Sequence, residues 1–213
     1  MNRKDQGFLN QVGGDWVSLC DNEWELLTGI MLDTRTPLER LRQVLLVLKK
    51  RNLLDYRKLR WFFQNGDNES VTKILKDASY PWYNQKAQLF NQDIEVLCPN
   101  GLAKATFEEI DSINGIGPKL ASLFMRIMHP EHQDDYVVID THVHRYIREV
   151  LGLADENKKT YAQLSEILRE DADARGMTIT QLDEMIVDNG INRRLGNLNA
   201  IKPIPPRKCH NAK

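Results

Sequence analysis

The stretch "SINGIGPKLASLFMRIM", residues 112–128, interrupts an apolar helical pattern with two glycines and then resumes it. Gly115 and Gly117 predict a turn of a few residues, because glycine takes backbone angles that are closed to other residues. Pro118 follows at the first position of the next helix, where proline is best tolerated. The stretch therefore predicts two helices joined by a tight turn. The second helix would begin with free backbone N–H groups that suit a phosphate oxygen, although an ordinary helix–helix connection is the alternative.

Apolar residues at helical spacing occupy most of the remaining chain. Capping boxes, in which a threonine and a glutamate three residues later bond each other's backbone N–H, predict helix starts at Thr36–Glu39 and Thr106–Glu109. We expect further helices at 24–32, 83–97, 141–151, 160–173 and 178–188. The best strand signal, "YVVI" (136–139), is too short to build a sheet. The predicted fold class is all-α.

Composition indicates an ordinary soluble protein: 213 residues with 41% hydrophobic and 28% charged content. We expect one or two small subdomains. No apolar run approaches the roughly 18 residues of a membrane span, and the amino terminus lacks the apolar stretch of a secretion signal. Three distant cysteines, Cys20, Cys98 and Cys209, suit a reducing compartment and provide no disulfide framework. These features predict a protein of a reducing compartment such as the cytoplasm.

Positive charge is concentrated in two segments, although the net charge is only −1. Residues 35–60 hold nine lysines and arginines against two acids, and residues 191–213 hold six against none. Such segregation is compatible with a phosphate-binding face on a protein that is acidic elsewhere. A solvated helix and a soluble tail are the alternative interpretation.

Lys119 occupies the second position of the helix that follows the turn, where the positive end of the helix dipole disfavours a cation. A protonated lysine is no nucleophile, and both this position and partial burial would favour the neutral amine. The alternative is a solvated lysine beside a bound phosphate.

Asp140 ends the apolar run of "YVVIDTHVHRYIREVLGL" (136–153) and begins a helix. A helix cap is its default role. A cap aspartate at the end of a buried segment is also rigidly held and partly desolvated, as a catalytic carboxylate needs to be. His142 and His144 lack metal-ligand spacing, so we expect surface or DNA-contacting residues.

The segments "INGIGPKLAS" (113–122) and "VVIDTHVHR" (137–145) together resemble the helix-hairpin-helix DNA glycosylases, and the endonuclease III type most closely. Weaker similarities are "LLTGIMLDTRTP" (26–37), "WYNQKAQ" (82–88) and "EMIVDNGI" (184–191), so the resemblance covers roughly residues 20–191. It implies that Gly115 and Gly117 hold a DNA phosphate. It also implies that Lys119 is the Schiff-base nucleophile and Asp140 the essential carboxylate, and that Arg35 or a neighbour fills the gap left by a flipped base.

The resemblance also implies the architecture. One helical subdomain would comprise residues 1–23 with 130–213, and the other residues 24–129, with the helix-hairpin-helix at 104–128 and a DNA-binding cleft between the subdomains. We expect further DNA contacts from Arg126, His142 and Arg145.

Two features depart from the endonuclease III pattern. The interval between Lys119 and Asp140 is longer than usual, which makes residues 129–135 an insertion. Only Cys209 lies where four cysteines would hold an iron–sulfur cluster, so we expect no cluster. In this respect the chain is similar to compact archaeal-type 8-oxoguanine glycosylases. We expect no organic cofactor, while a monovalent cation at the hairpin carbonyls fits the family.

The resemblance thus implies a monomeric bifunctional glycosylase and lyase. It would excise a damaged, oxidised base from double-stranded DNA and cleave the strand by β-elimination. Two alternatives remain: a monofunctional glycosylase in which Asp140 activates water, and a noncatalytic helix-hairpin-helix DNA-binding protein.

Overall fold

The structure is a computed structural model that describes residues 15–34 and 36–194. Every regular element within these two ranges is a helix, and none is a strand. The "YVVI" segment runs without strand pairing into the helix that starts at Thr141. The predicted all-α class is therefore confirmed.

The α-helices of the described ranges are α1 (Glu23–Asp33), α2 (Leu38–Lys50), α3 (Tyr56–Gln64), α4 (Asn68–Asp77), α5 (Tyr83–Ala87), α6 (Ile94–Leu97), α7 (Phe107–Asp111), α8 (Pro118–Met128), α9 (Thr141–Glu149), α10 (Tyr161–Arg175) and α11 (Ile179–Arg194). Short 3-10 helices lie at Asp15–Leu19, Gln88–Asn91, Leu102–Lys104, Pro130–Asp135 and Glu156–Lys158. No helix in the described part of the chain is both long and apolar enough to span a bilayer.

The chain divides into two compact units, residues 1–129 and 130–213. In the first unit α1 is the central helix, since all seven residues from Leu26 to Leu32 are buried. It packs against α2, α3 and α8. Trp16 lies directly over Gly29, where an added Cβ would be 2.3 Å from the indole. The assignment of residues 1–23 to the same subdomain as 130–213 stays a prediction.

The second unit has its own apolar core, which is built mainly by α9, α10 and α11. Its buried members are Val137, Ile139, Val143, Tyr146, Ile147, Leu164, Leu168, Ala172, Ile179, Leu182, Met185 and Ile186. Asp171 is also buried, and it accepts hydrogen bonds from the Tyr146 hydroxyl at 2.5 Å and from Arg175 Nε at 2.9 Å. Both donors bond the same carboxylate oxygen, Oδ2, so the Tyr146 hydroxyl and the Arg175 Nε–H are paired inside the core.

The segment 129–135, predicted as an insertion, is held by α10 and α11. It forms the 3-10 helix Pro130–Asp135, and Arg169 donates hydrogen bonds to the carbonyls of Asp134 and Asp135. The backbone N–H of Thr180 donates to Asp134 Oδ1 at 2.8 Å. Residues 130–135 are therefore part of the folded second unit.

Of the two predicted capping boxes, one forms in the structure and the other does not. The Thr106–Glu109 capping box is confirmed, with both reciprocal hydrogen bonds present before α7. The Thr36–Glu39 box is wrong, because α2 starts only at Leu38 and the Thr36 hydroxyl instead donates to the Thr34 carbonyl. The single helix predicted at 83–97 is also wrong. Extended backbone at Gln92 breaks it after the 3-10 helix Gln88–Asn91.

Candidate functional site

The turn between α7 and α8, residues 112–117, needs glycine at one position only. Gly115 has a φ of +89°, in the region that side chains rarely adopt, and an added Cβ would lie 2.5 Å from Leu89 Cδ1. Gly117 has φ −108° and ψ 179°, an extended conformation that any residue adopts. The expectation that Gly117 also takes a glycine-only conformation is therefore wrong.

A side chain from outside the turn fixes its geometry. Gln92 binds both backbone groups of Asn114: its Nε2 donates to the Asn114 carbonyl at 2.9 Å, and its Oε1 accepts from the Asn114 N–H at 2.7 Å. The Tyr56 hydroxyl bonds the Leu89 and Gln92 carbonyls and so anchors the segment that carries Gln92. The turn is thus held against the body of the first unit. The sequence contains no signal for this contact across 22 residues.

The outer side of the turn presents free hydrogen-bond donors. Within the described residues, the backbone N–H groups of Gly115, Gly117 and Lys119 have no acceptor. Nothing lies within 4 Å of the place where a Cβ of Gly117 would stand. Because α8 begins here with Pro118, the positive end of its dipole faces the same space. An anionic oxygen can approach the Gly117 backbone closely and accept hydrogen bonds from this helix start.

Lys119 lies at the second position of α8, as predicted, and its side chain is exposed. The expectation of partial burial for this residue is wrong. An exposed ammonium or amine beside free N–H donors is accessible to a phosphodiester and to the sugar that the phosphodiester carries. The Lys119 side chain is therefore open to solvent and is not enclosed by the protein.

Asp33 is a charged neighbour of Lys119 to which the sequence analysis assigned no catalytic role. It is the last residue of α1 and half-buried, and burial raises the pKa of its carboxyl above the usual range, while the Lys119 and Lys86 ammonium groups partly oppose that rise. An aspartate at the carboxyl end of a helix faces the negative end of the dipole. This unfavourable position at the end of α1 is the feature of the sequence that could have singled out Asp33.

Asp140 caps α9, as predicted. Its Oδ1 accepts hydrogen bonds from the N–H groups of His142 at 2.8 Å and Val143 at 2.9 Å. No described residue donates to its other carboxylate oxygen, Oδ2, and the side chain is half-buried. The carboxylate is therefore oriented by one oxygen and has the second available for a ligand.

Arg126 is not a DNA contact in this structure. Its side chain is 0% exposed. All eight residues from Leu120 to Ile127 are buried. The helix is enclosed on all sides, so the expectation that Arg126 contacts DNA is wrong.

The remaining predicted contacts differ in position. His142 is half-buried, and its ring lies against Gly190 of α11, where an added Cβ would lie 1.9 Å from Nδ1. Its role as a DNA contact stays a prediction. Arg145 is exposed and lies 4.0 Å from Glu149, so its role as a DNA contact stays a prediction. Arg35 lies outside the described residues, and its proposed entry into the duplex also stays a prediction.

Much of the positive charge of segment 35–60 is matched by nearby carboxylates. Ion pairs among the described residues of this segment join Lys49 with Asp21, Arg51 with Asp77, Arg57 with Asp55, and Arg60 with Asp93. A charge that is already paired contributes less to phosphate binding than the sequence count suggests. The sequence count for segment 35–60 therefore overstates the positive charge that is free to bind phosphate.

No protein-family model matches the chain, and no curated protein matches it.

The two glycines of the turn make a matched pair for mutation. Gly115→Ala is expected to destabilise the protein by about 1–3 kcal/mol, because alanine is strained at positive φ and its methyl group meets Leu89. Gly117→Ala has neither problem and should change the free energy of unfolding by less than about 1 kcal/mol. If the turn holds a DNA phosphate, as the sequence resemblance implies, Gly117→Ala should nevertheless weaken binding to a duplex, since the methyl group occupies the open space over the helix start. Thermal unfolding measures the effect on stability, and a duplex-binding titration measures the effect on DNA affinity. Full DNA affinity in Gly117→Ala would show that no phosphate binds at this position.

Because the pKa of Asp33 is raised, we expect that removing the negative charge of its carboxylate stabilises the folded protein. Because the folded-state pKa lies above the unfolded one, stability falls as pH rises through this range, and ionised Asp33 destabilises the fold at neutral pH. Asp33→Asn is therefore expected to raise Tm at pH 7. The gain should shrink as pH falls toward about 3.9, the ordinary aspartate pKa.

Asp55→Asn is the control of opposite sign. Burial raises the pKa of Asp55, but hydrogen bonds from the Arg57 side chain and backbone outweigh this and hold the pKa below its usual range. Loss of that carboxylate should lower Tm at pH 7. A lower Tm for Asp33→Asn at pH 7 would contradict the account of Asp33.

Proposed function

We propose that the chain is a DNA glycosylase with an associated lyase activity, acting on a damaged base in double-stranded DNA. The observation that carries this proposal is the exposed Lys119 amine at the start of α8, directly beside the free N–H groups of Gly115 and Gly117. In this role α7, the turn and α8 form a helix-hairpin-helix that grips the DNA backbone, and the grip brings a sugar to the lysine.

The chemistry assigned to Lys119 is nucleophilic attack on the sugar. The neutral amine forms a bond from Nζ to C1′ while the bond from C1′ to the base breaks, and the electron pair leaves with the base. Ring opening then gives an imine, which acidifies the C2′ proton. Removal of that proton expels the 3′ phosphate and cleaves the strand. A flipped nucleotide, displaced at a cost of a few kcal/mol, makes C1′ accessible.

Asp140 is assigned to charge stabilisation. Positive charge develops on the sugar as the base leaves, and a fixed carboxylate stabilises it best when it does not have to reorient during the reaction. The two backbone N–H groups that hold Oδ1 supply that rigidity. The unoccupied Oδ2 suits this role, and it equally suits orientation of a water molecule in a monofunctional enzyme.

Replacement of the lysine tests the proposal. Lys119→Gln is expected to abolish strand cleavage at an abasic site and covalent trapping by borohydride, because an amide forms no imine. Binding to the same duplex should survive, since the backbone N–H donors remain. Lys73→Gln, which removes an exposed lysine from α4, is the matched control and should retain both activities.

The outcome separates three functions. Cleavage and trapping that persist in Lys119→Gln would remove Lys119 from the reaction. A wild-type protein that releases a base but is never trapped would be a monofunctional glycosylase. A wild-type protein that binds damaged duplexes without releasing any base from a panel of lesions would be a noncatalytic binder.

Asp140→Asn is expected to lower the rate of base release at least about a hundredfold, within the range of catalytic carboxylates. Asparagine caps helices as well as aspartate, so Tm should change little. Asp67→Asn, which alters the cap of α4 in the same way, should leave the rate unchanged. Full activity in Asp140→Asn would reduce Asp140 to a helix cap.

A further inference from the structure

Gly190 lies in the interior of α11, where glycine is a poor helix former. Its φ is not in the left-handed region, so alanine would fit the same backbone conformation and would favour the helix. A glycine that weakens its own helix is explained when another group approaches its backbone closely. In the second unit that group is the imidazole of His142, which belongs to α9, and α9 packs against α11.

The ring of His142 leaves no room for a side chain at position 190. An added Cβ would lie 1.9 Å from Nδ1, 2.7 Å from Cε1 and 2.9 Å from Cγ of the imidazole. Rotation of the ring about the bond between its own Cβ and Cγ would not remove the collision, because Cγ lies on the rotation axis. The buried neighbours that line the same cleft are Tyr146, Met185, Ile186 and Asn189. A methyl group at position 190 therefore pushes on the whole of His142.

His142 connects this contact to the carboxylate of Asp140. The backbone N–H of His142 donates to Asp140 Oδ1 at 2.8 Å, and the N–H of Val143 donates to the same oxygen at 2.9 Å. Asp140 is the cap of α9, and both donors lie in the first turn of that helix. A shift of residue 142 changes the donor geometry at Oδ1, and a hydrogen bond weakens steeply as it loses alignment. The orientation of the carboxylate therefore depends on where the His142 backbone lies relative to α11.

We infer that Gly190 is a positioning residue for Asp140 and that it acts through His142, an inference that rests on the proposed role of Asp140 in base release. The backbone of α11 at Gly190 is the surface on which the imidazole packs. This contact fixes the first turn of α9, and with it the two N–H groups that hold Asp140 Oδ1. In this role Gly190 touches neither DNA nor a reacting atom.

Three variants make a double-mutant cycle: Gly190→Ala, His142→Ala and the two substitutions together. In the wild-type background we expect Gly190→Ala to lower Tm and to slow base release at least about tenfold, because small displacements of catalytic groups are costly. In His142→Ala the ring is absent, while the backbone N–H that bonds Asp140 remains. Adding Gly190→Ala to that variant should leave its rate unchanged, and should leave its Tm equal or higher, since alanine favours the helix.

Gly152→Ala is the matched control for a loss of stability. Gly152 lies in the same unit with a φ of +73°, and no described residue other than its chain neighbours comes within 4 Å of the place where its Cβ would stand. Alanine is strained at positive φ, so Tm should fall, but no neighbouring side chain is displaced. Base release by Gly152→Ala, measured well below its Tm, should therefore stay at the wild-type rate.

Amide hydrogen exchange tests the coupling without any reaction. The exchange rates of the His142 and Val143 amides, measured by NMR, report the two hydrogen bonds to Asp140 Oδ1. In Gly190→Ala we expect both amides to exchange at least about threefold faster than in the wild type, because the displaced residue 142 weakens these bonds. Gly152→Ala should show wild-type exchange at both amides. The double variant should match His142→Ala alone.

Two results would overturn the inference. Wild-type amide exchange in Gly190→Ala would mean that the imidazole moved without disturbing the bonds to Asp140. An equal slowing of base release by Gly190→Ala in the wild-type and His142→Ala backgrounds would mean that the effect does not pass through the ring. A wild type that releases no base from any lesion would instead overturn the proposed function, and the exchange rates would still decide whether Gly190 holds the Asp140 carboxylate in place.

Discussion

The packing of α8 against the buried helix α1 determines where Lys119 stands, and the rest of the candidate site depends on that contact. Seven consecutive residues of α1 are buried, so this helix has no freedom to shift without opening the core of the first unit. Eight consecutive residues of α8 are buried as well. With both helices fixed, the exposed start of α8 is a rigid platform from which one lysine and several N–H groups point outward.

The turn at 112–117 is held in place by side chains that lie outside it. Gln92 bonds both backbone groups of Asn114, and Leu89 lies so close to Gly115 that a methyl group there has no room. Precise positioning of donors before the ligand arrives is what electrostatic stabilisation requires. The broken helix around Gln92 is therefore useful to the site, since a continuous helix would not extend this backbone toward Asn114.

Features set by neighbours in sequence could be predicted, and features set by tertiary packing could not. The Thr106–Glu109 cap, Pro118 at the start of α8 and the Asp140 cap depend on three or four adjacent residues, and all three are present. The burial of Arg126, which was expected to contact DNA, could not be predicted, because tertiary packing encloses α8 on all sides. The charge interaction of Asp33 with Lys119 joins residues 86 positions apart. In the sequence, the only sign of it is that each residue lies at the helix end that disfavours its charge.

The central claim is that Lys119 forms a covalent bond with the sugar of the DNA, and the most direct measurement is the location of that bond. The wild-type protein would be trapped with borohydride on an abasic duplex, digested, and mapped by mass spectrometry. The account predicts that the nucleotide adduct lies on Lys119 alone. An adduct on another lysine, or on the amino terminus, would contradict it.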